Sequence, residues 1–298
     1  MYHIISILDF SREQIDALLE KARKIDEHIE IERSLEGKQV ALLFFEPSTR
    51  TRMSFASAVS RLGGTTICVD SVEGSSIIKG ETLADTVRVV SGYVDAIVLR
   101  HPKEGAARLA SEFATVPVIN AGDGAGQHPS QTLLDLYTIR QSMPLEGINV
   151  GLIGDLRYGR TAHSLAQALS HYHVNLFTIA PNGLELPETI QIELHDMGTD
   201  ICECAEVQDV IRDLDVLYVT RLQRERFPDS ATYVNVQQSY KVTPQLLSGV
   251  KDHLIVLHPL PRAGEIDPAV DSLPYARYFE QARNGIPVRM AMLREVMQ

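Results

Sequence analysis

The residues best suited to chemistry stand in one run, Phe44-Phe45-Glu46-Pro47-Ser48-Thr49-Arg50-Thr51-Arg52, with hydroxyls at Ser48, Thr49 and Thr51 and guanidinium forks at Arg50 and Arg52. Hydroxyls and arginines beside the free N–H groups of a starting helix hold a dianion such as phosphate. For an isolated Ser-Thr-Arg the blander alternative, an ordinary N-cap with solvated arginines, is the better one. Here more coincides. The apolar run Val40-Ala41-Leu42-Leu43 reads as a buried strand, Pro47 ends it, and Met53-Ser54-Phe55-Ala56-Ser57-Ala58-Val59 reads as a helix packed against it. Together these make the stretch a phosphate cradle.

A second stretch, Asn120-Ala121-Gly122-Asp123-Gly124-Ala125-Gly126-Gln127-His128-Pro129-Ser130-Gln131, reads as a glycine-rich turn opening into a helix over 132–141. Its three glycines let backbone approach a ligand closely, but Gly122-x-Gly124-x-Gly126 is not a dinucleotide fingerprint. His128 reads equally well as a ligand contact and as a cap residue. Further cationic or hydrogen-bonding residues follow strands: Lys79, Arg100, Arg160, Arg221, Gln223 and the turn at Leu260. Any one such arginine is more often a surface residue or a structural ion pair. The set has no evident activated Ser or Cys nucleophile and no zinc-like spacing. It suits a reaction between two anions in which the protein supplies orientation and charge stabilisation.

The elements that must position these residues alternate. Ser11-Arg12-Glu13-Gln14 reads as a capping box, followed by a helical face of Ile15, Leu18, Leu19, Ala22 and Ile25. Strands are expected at 65–69, 96–99 and 116–119, with a polar loop over 70–80 and helices over 81–93 and 104–113. Residues 143–147 read as a hinge, after which strands at 149–153, 174–179, 215–219 and 254–257 repeat the pattern around a helix at 161–170. The stretch 227–240 has little periodicity and reads as a long loop. The tail 275–297 reads as helical, with Pro287 expected to kink or interrupt it. This alternation argues for an α/β fold of two domains, each a parallel sheet covered by helices, with ligands at the carboxyl edges of the strands. The active site is expected in the cleft between them. The expected boundaries are 1–131, 132–279, and a C-terminal helix over 280–298 returning to the first domain.

A chain of 298 residues suits two domains, and 44% hydrophobic with 22% charged residues is ordinary for a globular protein. The formal net charge of −11 argues against a nucleic-acid partner held by a basic face. Anionic substrates must then be drawn by local cationic clusters. Cys68, Cys202 and Cys204 fit neither a Cys-x-x-Cys redox pair nor a usual zinc site, and are expected to be reduced. No signal peptide or membrane span is evident, so a cytoplasmic protein is expected.

At Ser48-Thr49-Arg50-Thr51-Arg52 the chain resembles the aspartate and ornithine carbamoyltransferases. Further matching segments are Lys79-Gly80-Glu81-Thr82, Leu99-Arg100-His101-Pro102, Gly124-Ala125-Gly126-Gln127-His128-Pro129, Gly154-Asp155-Leu156-Arg157-Tyr158-Gly159-Arg160, Thr220-Arg221-Leu222-Gln223 and His258-Pro259-Leu260-Pro261-Arg262. In that order they are similar to aspartate carbamoyltransferase catalytic chains over essentially the whole sequence. The Ser-Met-Gly and His-Cys-Leu-Pro segments typical of ornithine enzymes are missing.

The resemblance implies transfer of the carbamoyl group of carbamoyl phosphate to L-aspartate, a step of pyrimidine biosynthesis, with no cofactor and no metal on this chain. By match, Ser48, Thr49, Arg50, Thr51 and Arg100 hold the phosphate. Thr51, Arg100 and His128 face the carbonyl oxygen, and Gln131 with the carbonyls of Pro259 and Leu260 holds the carbamoyl nitrogen. Arg160, Arg221 and Gln223 match residues that bind the aspartate carboxylates, with Lys79 and Leu260 also at that substrate. Ser75 and Lys79 match residues lent to a neighbouring subunit, which implies a homotrimer with shared active sites. Ile77-Ile78 stands before Lys79 where some relatives carry glycine and a second lysine, so Ser75 and Ser76 both remain open as the contact. Departing phosphate is expected to take the amine proton. The loop 226–240 matches the mobile loop of the family, and 101–108 is similar to members that assemble with a separate zinc-bearing regulatory chain. The alternatives are a carbamoyltransferase for another amine such as ornithine, a non-catalytic anion-binding subunit of the same fold, and a nicotinamide dehydrogenase. Arg160 and Arg221 count against the first. Retention of Arg50, His128 and Lys79 counts against the second, and the missing glycine fingerprint against the third.

Overall fold

The computed structural model describes residues 2–28, 33–69, 79–222 and 229–297. Ser75, Ser76 and Gln223 lie outside the described residues, as does most of the polar loop over 70–80. The chain divides into two compact units, Met1–Leu134 with Asn284–Gln298, and Asp135–Arg283. The divisions fall within two helices, α5 (Pro129–Ser142) and α9 (Tyr278–Met297).

The first unit is built on β1 (Gln39–Phe44), β2 (Thr65–Val69), β3 (Ala96–His101) and β4 (Val118–Asp123), ordered β2-β1-β3-β4 with every pair parallel. Helices α2 (Thr49–Arg61), α3 (Leu83–Ser91) and α4 (Ala106–Phe113) make the crossovers, and α1 (Arg12–Asp26) precedes the sheet. The capping box of α1 forms between Ser11 and Gln14, and Ile15, Leu18, Leu19, Ala22 and Ile25 are its buried face. Strands β1 and β3 are buried along nearly their whole length, which is why they read as continuous apolar runs. Because β1 has β2 on one side and β3 on the other, the carboxyl ends of β1 and β3 form the switch point of this sheet.

The second unit repeats the plan with β5 (Asn149–Ile153), β6 (Asn175–Ile179), β7 (Ile201–Cys204), β8 (Val216–Val219) and β9 (Ile255–Leu257), ordered β7-β6-β5-β8-β9 and all parallel. Its helices include α6 (Arg160–Leu169), α7 (Glu188–Asp196) and α8 (Ser230–Ser239). A core around Ile153, Leu214, Leu217, Val219, Val256 and Tyr278 fills one side of the sheet. Here the switch point lies between β5 and β8.

Several elements differ from the sequence expectation. The stretch read as a loop over 227–240 contains α8, whose first bond runs from the Tyr233 N–H to the Asp229 carbonyl. Its sequence mixes β-branched and polar residues with no apolar stripe, so periodicity could not reveal it. Gln237 ties it down by donating from Nε2 to the Ala263 carbonyl at 2.9 Å. Helix α7 and strand β7 escaped for a related reason: only Leu194 of α7 is buried, and β7 is an edge strand without alternation. Strand β4 runs on through Asn120-Ala121-Gly122-Asp123, which the glycines had suggested to be a turn. Pro287 sits inside α9 without ending it. On β7 the Cys202 and Cys204 sulfurs lie 3.8 Å apart as free thiols, and burial with the Cys202 contact pushes the Cys204 thiol up to about 11.

One buried carboxylate fastens three strand starts in the second unit. Asp215 Oδ2 accepts from the Asn149 N–H at 2.8 Å, and its Oδ1 accepts from Lys251 Nζ at 2.6 Å and His253 Nε2 at 2.7 Å. Burial alone would raise this carboxyl; the Asn149, Lys251 and His253 bonds outweigh it and hold Asp215 below the usual carboxylate range. A depressed folded-state value contributes stability that is present above the unfolded value and lost as pH falls through the folded one. Asp215→Asn is therefore expected to destabilise the fold by about 2 kcal/mol at neutral pH. In thermal melts across pH, the gap from wild type should close below about pH 4.

Candidate active site

The first switch point collects the residues of the opening motif. Strand β1 ends at Phe44, whose register partner on β3 is Arg100, so residues 45–51 and Arg100 leave the sheet side by side. Ser48 is the N-cap of α2, yet its side chain makes no capping bond. By contrast α1 and α3 are closed by Ser11 and Thr82. The first α-helical bond of α2 runs from the Arg52 N–H to the Ser48 carbonyl, and the preceding turn points its N–H groups out of the helix. Thr49 and Arg50 are exposed, Ser48 is half-buried and Thr51 is buried. Partial burial pulls the Arg50 guanidinium below the ordinary arginine value, and it stays a cation at neutral pH. Arg100 is nearly buried and is aimed by two fixed partners. Its Nη1 donates to the Ala121 carbonyl at 3.0 Å, and its Nη2 pairs with Glu46 Oε1 at 3.1 Å.

His128 is buried at the start of α5, with Nδ1 3.4 Å from Ser130 Oγ. Its carbonyl accepts the Gln131 N–H at 2.9 Å and the Thr132 N–H at 3.2 Å, so it also occupies a cap position. Of the glycines before it, Gly124 and Gly126 lie close against protein atoms. A Cβ on Gly124 would lie 2.6 Å from the Glu104 nitrogen, and one on Gly126 would lie 3.0 Å from the Asp123 carbonyl oxygen. At both positions protein backbone is a near neighbour. Asp123 then closes the loop: Oδ1 accepts from Asn120 Nδ2 and the Gln127 N–H, each at 3.0 Å, and Oδ2 accepts from the Gly105 N–H at 3.0 Å.

In the second unit Arg160 opens α6 after β5, and Arg221 follows β8, its neighbour in the sheet. Helix α6 has Gly159 in the cap position and no side-chain cap. The two strand ends are joined tightly. The Thr220 N–H donates to the Ile153 carbonyl at 2.8 Å, and Thr220 Oγ1 donates to the same oxygen at 3.0 Å. Gly154 has φ of +119°, and a Cβ there would lie 2.5 Å from the Thr220 carbonyl oxygen. Asp155 Oδ1 accepts from the Tyr158 N–H at 3.0 Å. His163 Nε2 donates to the Leu156 carbonyl at 2.6 Å; burial pushes this imidazole below its ordinary value, so it is neutral at pH 7. After β9, Pro259 and Leu260 are half-buried in a turn where Leu260 has φ of +55°.

Ser48, Thr49, Arg50, Thr51 and Arg100 thus share one strand-end cluster, with His128 and Gln131 in the same unit. Arg160, Arg221, Pro259 and Leu260 occupy neighbouring strand ends of the other. Lys79 is exposed ahead of α3. Sequence reasoning missed the residues that aim these groups: Glu46, Asn120, Asp123, Asp155 and Arg289. Arg289 carried a signal, one cation inside the apolar run Val288-Arg289-Met290-Ala291-Met292-Leu293. It is buried in the first unit, donates from Nη1 to Ser54 Oγ at 2.9 Å and lies 5.1 Å from the Phe55 ring centroid.

Residues 2–141 match the family model described as aspartate/ornithine carbamoyltransferase, carbamoyl-P binding domain. Residues 146–296 match the model described as aspartate/ornithine carbamoyltransferase, Asp/Orn binding domain. The chain belongs to the aspartate/ornithine carbamoyltransferase family. Among family members it is similar to an aspartate carbamoyltransferase catalytic subunit of Methanoculleus marisnigri, at 72% identity over all of both chains. It is also similar to one of Methanosphaerula palustris, at 65% identity over all of both chains. Among solved structures, the catalytic subunit of M. jannaschii aspartate transcarbamoylase aligns with a TM-score of 0.94 at 50% identity, covering 100% of this chain and 98% of that one. A Trypanosoma cruzi aspartate transcarbamoylase in complex with carbamoyl phosphate and aspartate aligns with a TM-score of 0.91 at 39% identity, covering 99% and 95%.

The Gly154 contact makes a local test of how this carbamoyltransferase site is held. Gly154→Ala forces a Cβ onto the Thr220 backbone and is expected to cost about 1–3 kcal/mol of stability. Thermal melts should show the loss in the second unit, while a glycine with open space around it, Gly183, is the control site.

Proposed function

We propose that this chain transfers the carbamoyl group of carbamoyl phosphate to the amino group of L-aspartate, giving N-carbamoyl-L-aspartate and phosphate. The observation that carries the reading is the pair of switch points, each fitted with arginine and a helix start that no side chain caps. One suits a phosphate, the other a carboxylated acceptor. The names of the relatives support aspartate over ornithine, and so does the charge: an ornithine side-chain ammonium would meet Arg160 and Arg221.

In this reading Ser48, Thr49, Arg50, Thr51 and Arg100 hold the phosphate of the donor. The unprotonated aspartate amine attacks the carbonyl carbon, and the C–N bond forms as the carbonyl becomes an oxyanion. Thr51, Arg100 and His128 stabilise that charge with donors whose direction is fixed before reaction. Collapse of the tetrahedral species breaks the carbon–oxygen bond to phosphate, which leaves with the proton lost by the amine. Gln131 and the carbonyls of Pro259 and Leu260 hold the carbamoyl nitrogen. Arg160, Arg221 and Gln223 hold the aspartate carboxylates, with Lys79 and Leu260 beside that substrate. The protein contributes position and charge, and no residue is asked to form a covalent intermediate.

We further propose that the working unit is a homotrimer in which Ser75 and Lys79 complete a neighbour's site, with catalysis in the cytoplasm and a zinc-bearing regulatory chain as a further partner. Among the described residues no helix is long and apolar enough to cross a membrane.

The test offers carbamoyl phosphate with L-aspartate and with L-ornithine in parallel and follows ureido product. Turnover with aspartate alone is expected; turnover with ornithine alone would overturn the acceptor assignment. Arg221→Ala is expected to raise the KM for aspartate by about ten- to a hundred-fold while leaving that for carbamoyl phosphate near wild type.

A further inference from the structure

Beneath the turn that follows β9 lies a polar cluster closed to solvent, and none of the roles above uses it. His258, Glu265, Gln281, Asp135 and Tyr218 are each 2% exposed or less. The Leu260 N–H donates to His258 Nδ1 at 2.7 Å. A ring nitrogen that accepts a hydrogen bond carries no proton, so the His258 proton is on Nε2, which donates to Glu265 Oε1 at 2.6 Å. Glu265 Oε2 in turn accepts the Ala263 N–H at 2.7 Å. On the other side the His258 N–H donates to Gln281 Oε1 at 2.8 Å, and Gln281 Nε2 donates to Asp135 Oδ1 at 2.6 Å. The Tyr218 hydroxyl donates to Asp135 Oδ2 at 2.9 Å. The network therefore runs from β8 through α5 and α9 to the turn, and all of it lies in the second unit.

Its effect is to fix the backbone between residues 259 and 263 from both ends. Leu260 adopts φ of +55°, a conformation unfavourable for a residue with a Cβ, and the bond from its own N–H to His258 holds it there. Ala263 is held by the carboxylate that also orients the imidazole. Burial alone would raise the Glu265 carboxyl, but the His258 bond and backbone N–H groups outweigh it and keep the carboxylate form. The Leu260 N–H shares its peptide plane with the Pro259 carbonyl, so the imidazole sets that carbonyl's direction, and the carboxylate anchors the far end of the turn that carries the Leu260 carbonyl.

We propose that His258, its ring oriented by Glu265, is a positioning residue for the subsite that takes the amino group of the carbamoyl donor: its Nδ1 holds the turn whose carbonyls accept from that nitrogen. The proposal rests on the reading that gives those carbonyls that role. Neither side chain touches substrate. The cluster specifies a donor with N–H groups, because two aimed carbonyls offer nothing to a methyl in the same place.

The experiment compares carbamoyl phosphate with acetyl phosphate, which carries a methyl where the donor carries its amino group. The KM of carbamoyl phosphate and the Ki of acetyl phosphate against it are measured for wild type, His258→Gln and His258→Asn, alongside thermal melts. Asn retains an acceptor for the N–H two residues on, and Gln retains a donor toward Glu265 but loses that acceptor. His258→Gln is expected to raise the KM of carbamoyl phosphate by about ten-fold or more, with the Ki of acetyl phosphate within about two-fold of wild type. His258→Asn should stay within about three-fold of wild type for both ligands. Equal weakening of both ligands in His258→Gln would make the pair merely structural and overturn the proposal. If His258→Gln fails to fold, a ten-fold or greater weakening of carbamoyl phosphate in folded His258→Asn overturns it instead, and retention supports it. A wild-type enzyme that binds both ligands equally well would sink the underlying reading of the carbonyls, and the proposal with it, whatever the variants do.

Discussion

A helix that follows a parallel strand begins at the carboxyl edge of the sheet with its first N–H groups outside the helical ladder. Everything else in this chain depends on how those groups are left. At α3 Thr82 closes them; at α2 Ser48 stands in the cap position and makes no such bond. An open start next to Arg50 and Arg100 is a concentration of positive potential on a chain whose net charge is −11. The overall field repels anions, and this local one favours them.

The second constraint is that such a site must be rigid before the substrate arrives, since donors that have to be oriented during reaction lose most of their effect. Both units meet it with buried polar partners beneath the strand ends. Glu46 and the Ala121 carbonyl aim Arg100, Asp123 ties three segments around the approach to His128, and Thr220 locks the ends of β5 and β8 against Gly154. The turn after β9 is held by an imidazole–carboxylate pair with almost no solvent exposure. The residues that follow the strand ends are thus set apart from the polar partners that hold them.

This division also explains which parts were legible in the sequence. Strands β1, β3, β5 and β8 announce themselves as apolar runs because both of their faces are covered, and the residues just after them are conspicuous as clusters of hydroxyls and arginines. The edge strand β7 and the helix α7 bury too few side chains on one face to leave a period, and the α8 sequence has no apolar stripe. Gly124 advertised a close approach, and the backbone of 102–104 is what lies against it. Glu265 and Arg289 illustrate the remaining limit. Each is a single charge whose meaning lies in a partner seven residues away or 159 residues away, Ser130 in the case of Arg289, and pattern reading sees neither.

The most direct test of the central claim is the binding of inorganic phosphate to wild type and to Ser48→Asp, measured by titration calorimetry. An aspartate in the cap position brings its own carboxylate to the open N–H groups and should occupy the place of the anion. Ser48→Asp is expected to melt at or above the wild-type temperature without phosphate and to bind phosphate at least about ten-fold more weakly. Undiminished phosphate binding by a folded Ser48→Asp chain would contradict it, and would mean that the start of α2 is not where the dianion is held.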